Sequence, residues 1–198
     1  MARLNRALQK DSMDRILDLL KQDPVRLEAL SHAYKLNLPD CYLAAGFVRN
    51  LVWDSLHGFE KPTPLNDVDL IYFDPREQNP TACLEYESQL KQCMPSLNWQ
   101  VRNQARMHTR NGDRLYVSSL DAMSFWPEKE TAIGVRQVEQ GRYECVSAFD
   151  IEPCLRALLL TTPSAAKRYS RKEWNRNLGS TIGLCSRFNT RPKLKVSI

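Results

Sequence analysis

The chain has no stretch approaching the ~20 consecutive apolar residues of a membrane-spanning helix. Its apolar runs, such as Ala157 to Leu160, are far shorter, and no membrane partner is expected. The opening residues, MARLNRALQKDSMDR, carry charges where an export signal needs an apolar centre, so the expected location is cytoplasmic. The six cysteines, Cys41, Cys83, Cys93, Cys145, Cys154 and Cys185, never fall as C-x-x-C and sit mostly among apolar neighbours. That pattern argues against a zinc site and for reduced, buried thiols, and without an export signal disulfides are not expected. Internal repeats and low-complexity segments are also missing, which excludes solenoids and arrays.

What is present is enough for one domain with a sizeable core. The chain has 198 residues, 42% hydrophobic and 26% charged, ordinary values for a globular protein. The net charge of +5 is unevenly placed. From Ser164 onward nine Lys or Arg face one acid, Glu173, so that segment carries +8 and the preceding residues −3. The expected division is a domain over 1–163, including N-terminal helices, and a basic helix and tail over 164–198 packed on it. A basic end with Tyr169 and Trp174 interleaved can track RNA or hold a polyphosphate; its alternative is a solvated helical face.

Along the chain, Ser12 is a candidate helix cap before Ile16, Leu19 and Leu20, and Asp23-Pro24 is a second cap-and-start signal. CYLAA reads as a short strand ending at Gly46, and FVRNLVWDSLHG as a helix with Val48, Val52 and Leu56 on one face. GFEKPTPLN is a loop. DVDLIYF reads as a central strand stopped by Asp74-Pro75. A helix follows from Asn79-Pro80 to about Cys93, then a strand in LNWQVRN and a short helix in SSLDAMSFW. TAIGVRQVE and RYECVSAF form a hairpin around Gln140-Gly141. The expected fold class is α+β: a small mixed sheet with packed helices and helical flanks at both ends.

The chemistry is concentrated in two places. Side chains alternate along a strand, so Asp67 and Asp69 point to one face and Val68 to the other. Two adjacent carboxylates repel unless a cation lies between them, and Mg²⁺ or Mn²⁺ takes oxygen donors of this kind. Gly46 permits a turn that residues with side chains resist, and the helix after it presents free amides, an anion site. Arg49 can add donors to phosphate oxygens or pair with Asp67 or Asp69. His57, near a helix end, reads as structural. Trp126, beside Pro127, is a core aromatic or the edge of a groove.

AGFVRNLVWDSLHG and TPLNDVDLIYFD resemble the signature of a bacterial nucleotidyltransferase-like family within the DNA polymerase beta-type superfamily, which also holds the tRNA CCA-adding enzymes. WQVRNQARMH and DAMSFWPEKETAIGVR resemble it too, so the likeness spans roughly Cys41 to Arg136. It implies a polymerase beta-like fold, divalent Mg²⁺ or Mn²⁺, and transfer of a nucleotidyl group from a nucleoside triphosphate to a hydroxyl acceptor. Asp67 and Asp69 then match the catalytic metal ligands, and Gly46, Arg49 and Asn50 the nucleotide-binding turn. Asn50 stands where the CCA-adding enzymes have an aspartate. The turn has one glycine, Ala45-Gly46, where a pair is usual. His108, in NQARMH, is a second-tier candidate for lining the cleft. The superfamily's third carboxylate has no equivalent in LNWQVRN; Asn103, Asp113, Asp121 and Glu144 are candidate substitutes, and spacing selects none of them. The competing expectation is a non-catalytic nucleotide- or RNA-binding module that keeps the fold.

Overall fold

The structure, a computed structural model, describes residues 2–151. The expected C-terminal helical flank, the boundary at 163/164 and the basic segment 164–198 lie outside the described residues. The chain opens with helix α1, Ala2–Leu20. Ser12 does not cap it: the residue is buried within the helix, ten residues past its start. Ala, Leu, Arg, Gln and Lys dominate the segment before it, and their helix propensity carries the helix through the serine. The second cap is as expected. Asp23 accepts from the Arg26 amide at 2.9 Å and Pro24 opens helix α2, Pro24–Lys35.

Arg26 ties α2 to the middle of the chain. Its side chain is 2% exposed, pairs with the Asp23 carboxylate, and donates from Nε to the carbonyl of Phe47 at 2.9 Å. The guanidinium also lies over the Phe47 ring. A buried charge is tolerated only with such partners.

The sheet contains β1 (Tyr42–Ala44), β2 (Val68–Tyr72), β3 (Trp99–Asn103), β4 (Ile133–Glu139) and β5 (Arg142–Ser147), in the order β3-β2-β1-β4-β5. β2 and β3 are parallel, joined through helix α4, Ala82–Cys93; all other pairs are antiparallel. The expected mixed sheet and the β4-β5 hairpin are both present. One face, with Leu43, Val68, Leu70, Tyr72, Val101 and Val135, is fully buried. On the other, Tyr42, Ala44 and Ile71 pack with Met123 of helix α6 (Ser119–Met123) and with Ala132, and Trp126 and Phe149 are partly buried against them. Trp126 thus packs against this core while staying partly exposed. Helix α5, Gln104–Asn111, follows β3 directly with Asn103 as its cap. Among the described residues no helix is long and apolar enough to cross a membrane.

The junction from β1 into helix α3, Gly46–Leu56, differs from expectation in an instructive way. Gly46 is already helical. The residue with the left-handed φ is Ala45, at φ 55 and ψ −126, so the turn's conformational demand falls on a residue with a Cβ. Such a conformation costs on the order of 1–3 kcal/mol outside glycine. Substitution Ala45→Gly should therefore stabilise the fold by about 1 kcal/mol after the entropy glycine adds to the unfolded chain, read as a higher urea midpoint with unchanged m-value.

Candidate active site

The register of β1 against β2 pairs Ala44 with Asp69. Ala44 is the last residue of β1, so the turn at Ala45 and the start of α3 lie at the same sheet end as the acids. Asp69 is half-buried within β2. Asp67 is exposed and stands one residue before the strand, where its Oδ1 accepts from Asn98 Nδ2 at 2.6 Å. The loop that delivers it is anchored by Asp54 of α3, 7% exposed, which accepts from the Thr63 amide at 2.6 Å and the Thr63 hydroxyl at 2.5 Å. His57, just past α3, packs its ring 4.0 Å from that of Trp53, at the far end of the helix from Gly46.

At the head of α3, two side chains converge on Gly46. A Cβ built there would lie 3.8 Å from Arg49 Nη2 and 3.9 Å from Asn50 Nδ2. The two are linked, Arg49 Nε donating to Asn50 Oδ1 at 3.3 Å, which fixes the amide so that its nitrogen faces the glycine. The result is a small space above Gly46 bordered by side-chain N–H donors and the free amides of the helix start, suited to an anion. Arg49 does not pair with Asp67 or Asp69. Its Nη1 meets Glu128 Oε2 at 3.3 Å, a partner 79 residues away that no local pattern reveals.

Burial, and secondarily the charge of Asp67, pushes the Asp69 carboxyl above the usual carboxylate range; Arg102 and Arg49 oppose the shift. Arg102 belongs to β3 and is held by Glu87 at 2.6 Å. The residue of β3 beside Asp69 is Gln100, an amide where a further acid would complete a trio. The four candidate substitutes are engaged elsewhere. Asn103 Oδ1 accepts from the amides of Asp74 and Ala105, and its Nδ2 donates to Asp74 O and Glu77. Asp113 accepts from the Tyr116 hydroxyl, Asp121 pairs with Arg114 at 2.7 Å, and Glu144 with Arg136 at 2.5 Å. Among the described residues no group of three or more His, Cys, Asp and Glu comes together as a metal site. α5 begins at the opposite end of the parallel pair from Asp67, and His108 on it, the second-tier candidate for lining the cleft, meets Tyr116 edge-on.

A family model described as nucleotidyltransferase matches residues 31–180. Among solved structures, one described as an NMR structure that reveals a CCA-adding enzyme head domain is 34% identical, covers 72% of this chain and 74% of its own, and superposes with a TM-score of 0.63. No curated protein matches the chain.

The raised Asp69 pKa makes a stability prediction. The folded state holds this proton more tightly than the unfolded state, so stability is lost as pH rises through the carboxylate range and the penalty is complete above the folded pKa. Without divalent cations, Asp69→Asn should melt at a higher temperature than wild type at neutral pH, and the gap should close in acid; calorimetric scans across pH in chelator measure it.

Proposed function

The chain belongs to the nucleotidyltransferase family, and from that premise we propose that it moves a nucleotidyl group from a nucleoside triphosphate to a hydroxyl acceptor with Mg²⁺ or Mn²⁺. The observation that carries this reading is the Ala44–Asp69 pairing, which brings the donors around Gly46 and the carboxylate pair to one end of the sheet. The raised Asp69 pKa supports a cation at the pair, because a half-buried carboxylate next to another is relieved by positive charge. Divalent cations held by Asp67 and Asp69 would neutralise charge on the phosphates and favour the acceptor oxygen as nucleophile.

The chain's own groups bind and orient. Arg49, Asn50 and the first amides of α3 direct N–H groups toward the phosphates, and the Asp54–Thr63 clamp keeps Asp67 at the strand mouth. The acceptor oxygen forms a bond to the α-phosphorus, the bond from that phosphorus to the pyrophosphate oxygen breaks, and the hydroxyl proton passes to solvent. One observation favours a second reading, the non-catalytic nucleotide- or RNA-binding module: Asn103, Asp113, Asp121 and Glu144 are all held by other partners.

The test has three parts. Mg²⁺-dependent incorporation of labelled nucleotide from NTP should be abolished in Asp67→Ala and in Asp69→Ala, and Mg²⁺ should raise the melting temperature of wild type but not of Asp69→Asn. Binding without incorporation selects the second reading. Gly46→Ala should keep or raise stability, as alanine favours a helix by up to about 1 kcal/mol, yet weaken NTP binding at least about tenfold by entering the donor-lined space. Unchanged NTP affinity in that variant overturns the placement of the phosphates at Gly46.

A further inference from the structure

Glu128 holds the arginine that the proposed nucleotide site needs. It precedes a 3-10 turn, Lys129–Thr131, whose N-cap it occupies without using its side chain for capping. Its backbone is fixed from below: the Glu128 carbonyl accepts from the Thr131 amide at 3.1 Å and the Thr131 hydroxyl at 2.7 Å. A side chain on so anchored a backbone is presented, not trailing. Its Oε2 reaches Arg49 Nη1 at 3.3 Å, with the two side chains 31% and 20% exposed. The next residue, Lys129, does not offset that charge at close range, because its ammonium lies over the Phe149 ring, 5.2 Å from the centroid.

The contact is weak in two senses. At 3.3 Å it is long for a charge-assisted hydrogen bond, and partial exposure screens it. It is therefore one that a polyphosphate can displace. Of the Arg49 fork, Nε is taken by Asn50 and Nη1 by Glu128, while Nη2 is the nitrogen near Gly46. A phosphate arriving at Gly46 meets one free terminal nitrogen and, behind it, a carboxylate of its own sign.

We propose that Glu128 competes with the nucleotide phosphates for Arg49 and so makes the site select metal-loaded nucleotide over metal-free nucleotide. The proposal rests on the nucleotide-site reading above. Its logic is the charge of the incoming group. Asp67, Asp69 and Glu128 are three anions around that end of the sheet, and Arg49 and Arg102 both already face carboxylates. A free triphosphate bears the full repulsion, whereas a bound divalent cation roughly halves its net charge and reduces the penalty in proportion. Removing the Glu128 charge must then help the metal-free nucleotide more than the metal-loaded one.

The experiment is calorimetric titration of ATP, CTP, GTP and UTP, each separately, into the full chain in excess Mg²⁺ and in EDTA, for wild type, Glu128→Gln and Glu128→Ala. Because the anchoring groups of Glu128 are backbone atoms, both variants should keep the wild-type melting temperature. Affinity in EDTA should tighten about fivefold in each variant, the scale of one partly exposed ion pair, while affinity in Mg²⁺ changes by less than about twofold. The preference for metal-loaded nucleotide falls accordingly. Unchanged or weaker EDTA affinity in both variants, with wild-type binding intact in Mg²⁺, overturns the proposal alone and makes Glu128 a positioning group for Arg49. Absence of wild-type binding to any NTP in Mg²⁺ overturns the nucleotide-site reading and the proposal with it.

Discussion

The pairing of Ala44 with Asp69 is the constraint on which the rest of the site depends. It is held from both sides: on its other edge β1 pairs Ala44 with Gly134 of β4. Gly134 is needed there, since a Cβ at that position would lie 2.9 Å from the Cβ of Tyr42. Strand register has a period of two, so a slip of one residue would turn Asp69 to the fully buried face and Leu70 toward the site. The wall of Leu43, Val68, Leu70 and Val135 on that face makes such a slip prohibitive, because it would bury a charge without a partner. Packing on one side of the sheet thus fixes the chemistry on the other.

Helix α3 completes this arrangement by acting at both of its ends. Its first turn brings Arg49 and Asn50 to the sheet end where Asp69 lies, and it is itself held by the Arg26 bond to the Phe47 carbonyl. Near its last turn Asp54 clamps Thr63 and so shortens the free span of the loop that delivers Asp67. Two local features, the left-handed Ala45 backbone and the buried Arg26, whose Nη2 has no hydrogen-bond partner, each cost the fold energy. The first lies at the sheet end that carries the acids, and the second braces the helix that begins there.

Much of this was legible in the sequence because it rests on local signals. Asp23-Pro24 caps a helix, β-branched and aromatic runs gave the strands, and Gln140-Gly141 marked the hairpin. The alternation argument for Asp67 and Asp69 needs only the strand period. Other features depend on partners far away in the chain. Nothing near Arg49 indicates that Glu128 is its partner, and nothing near Asn103 indicates that both ends of its amide are taken by the turn at Asp74 and Glu77. Ser12 departs from its local signal for the opposite reason: a good cap residue is overridden when the residues before it favour helix as strongly as those after it. Gly46, as the glycine, is the expected place for the special backbone, whereas the chain puts that backbone on the alanine before it.

The asparagine at position 50 has a physical consequence that links these observations. An aspartate there would be ionised and could only accept hydrogen bonds. It could bind Arg49 Nε, but it would present another anion to the space above Gly46. The amide keeps the bond to Arg49 through Oδ1 and turns a donor, Nδ2, toward that space. With Glu128 already drawing on Arg49, a further acid at position 50 would leave the head of α3 with more negative than positive side-chain charge. The neutral amide keeps a donor at the turn, while Asp67 and Asp69 on the adjoining strand offer carboxyl oxygens. The head of α3 thus carries balanced side-chain charge and N–H donors, the adjoining strand carries carboxyl oxygens, and on the proposed reading a triphosphate paired with a divalent cation complements both.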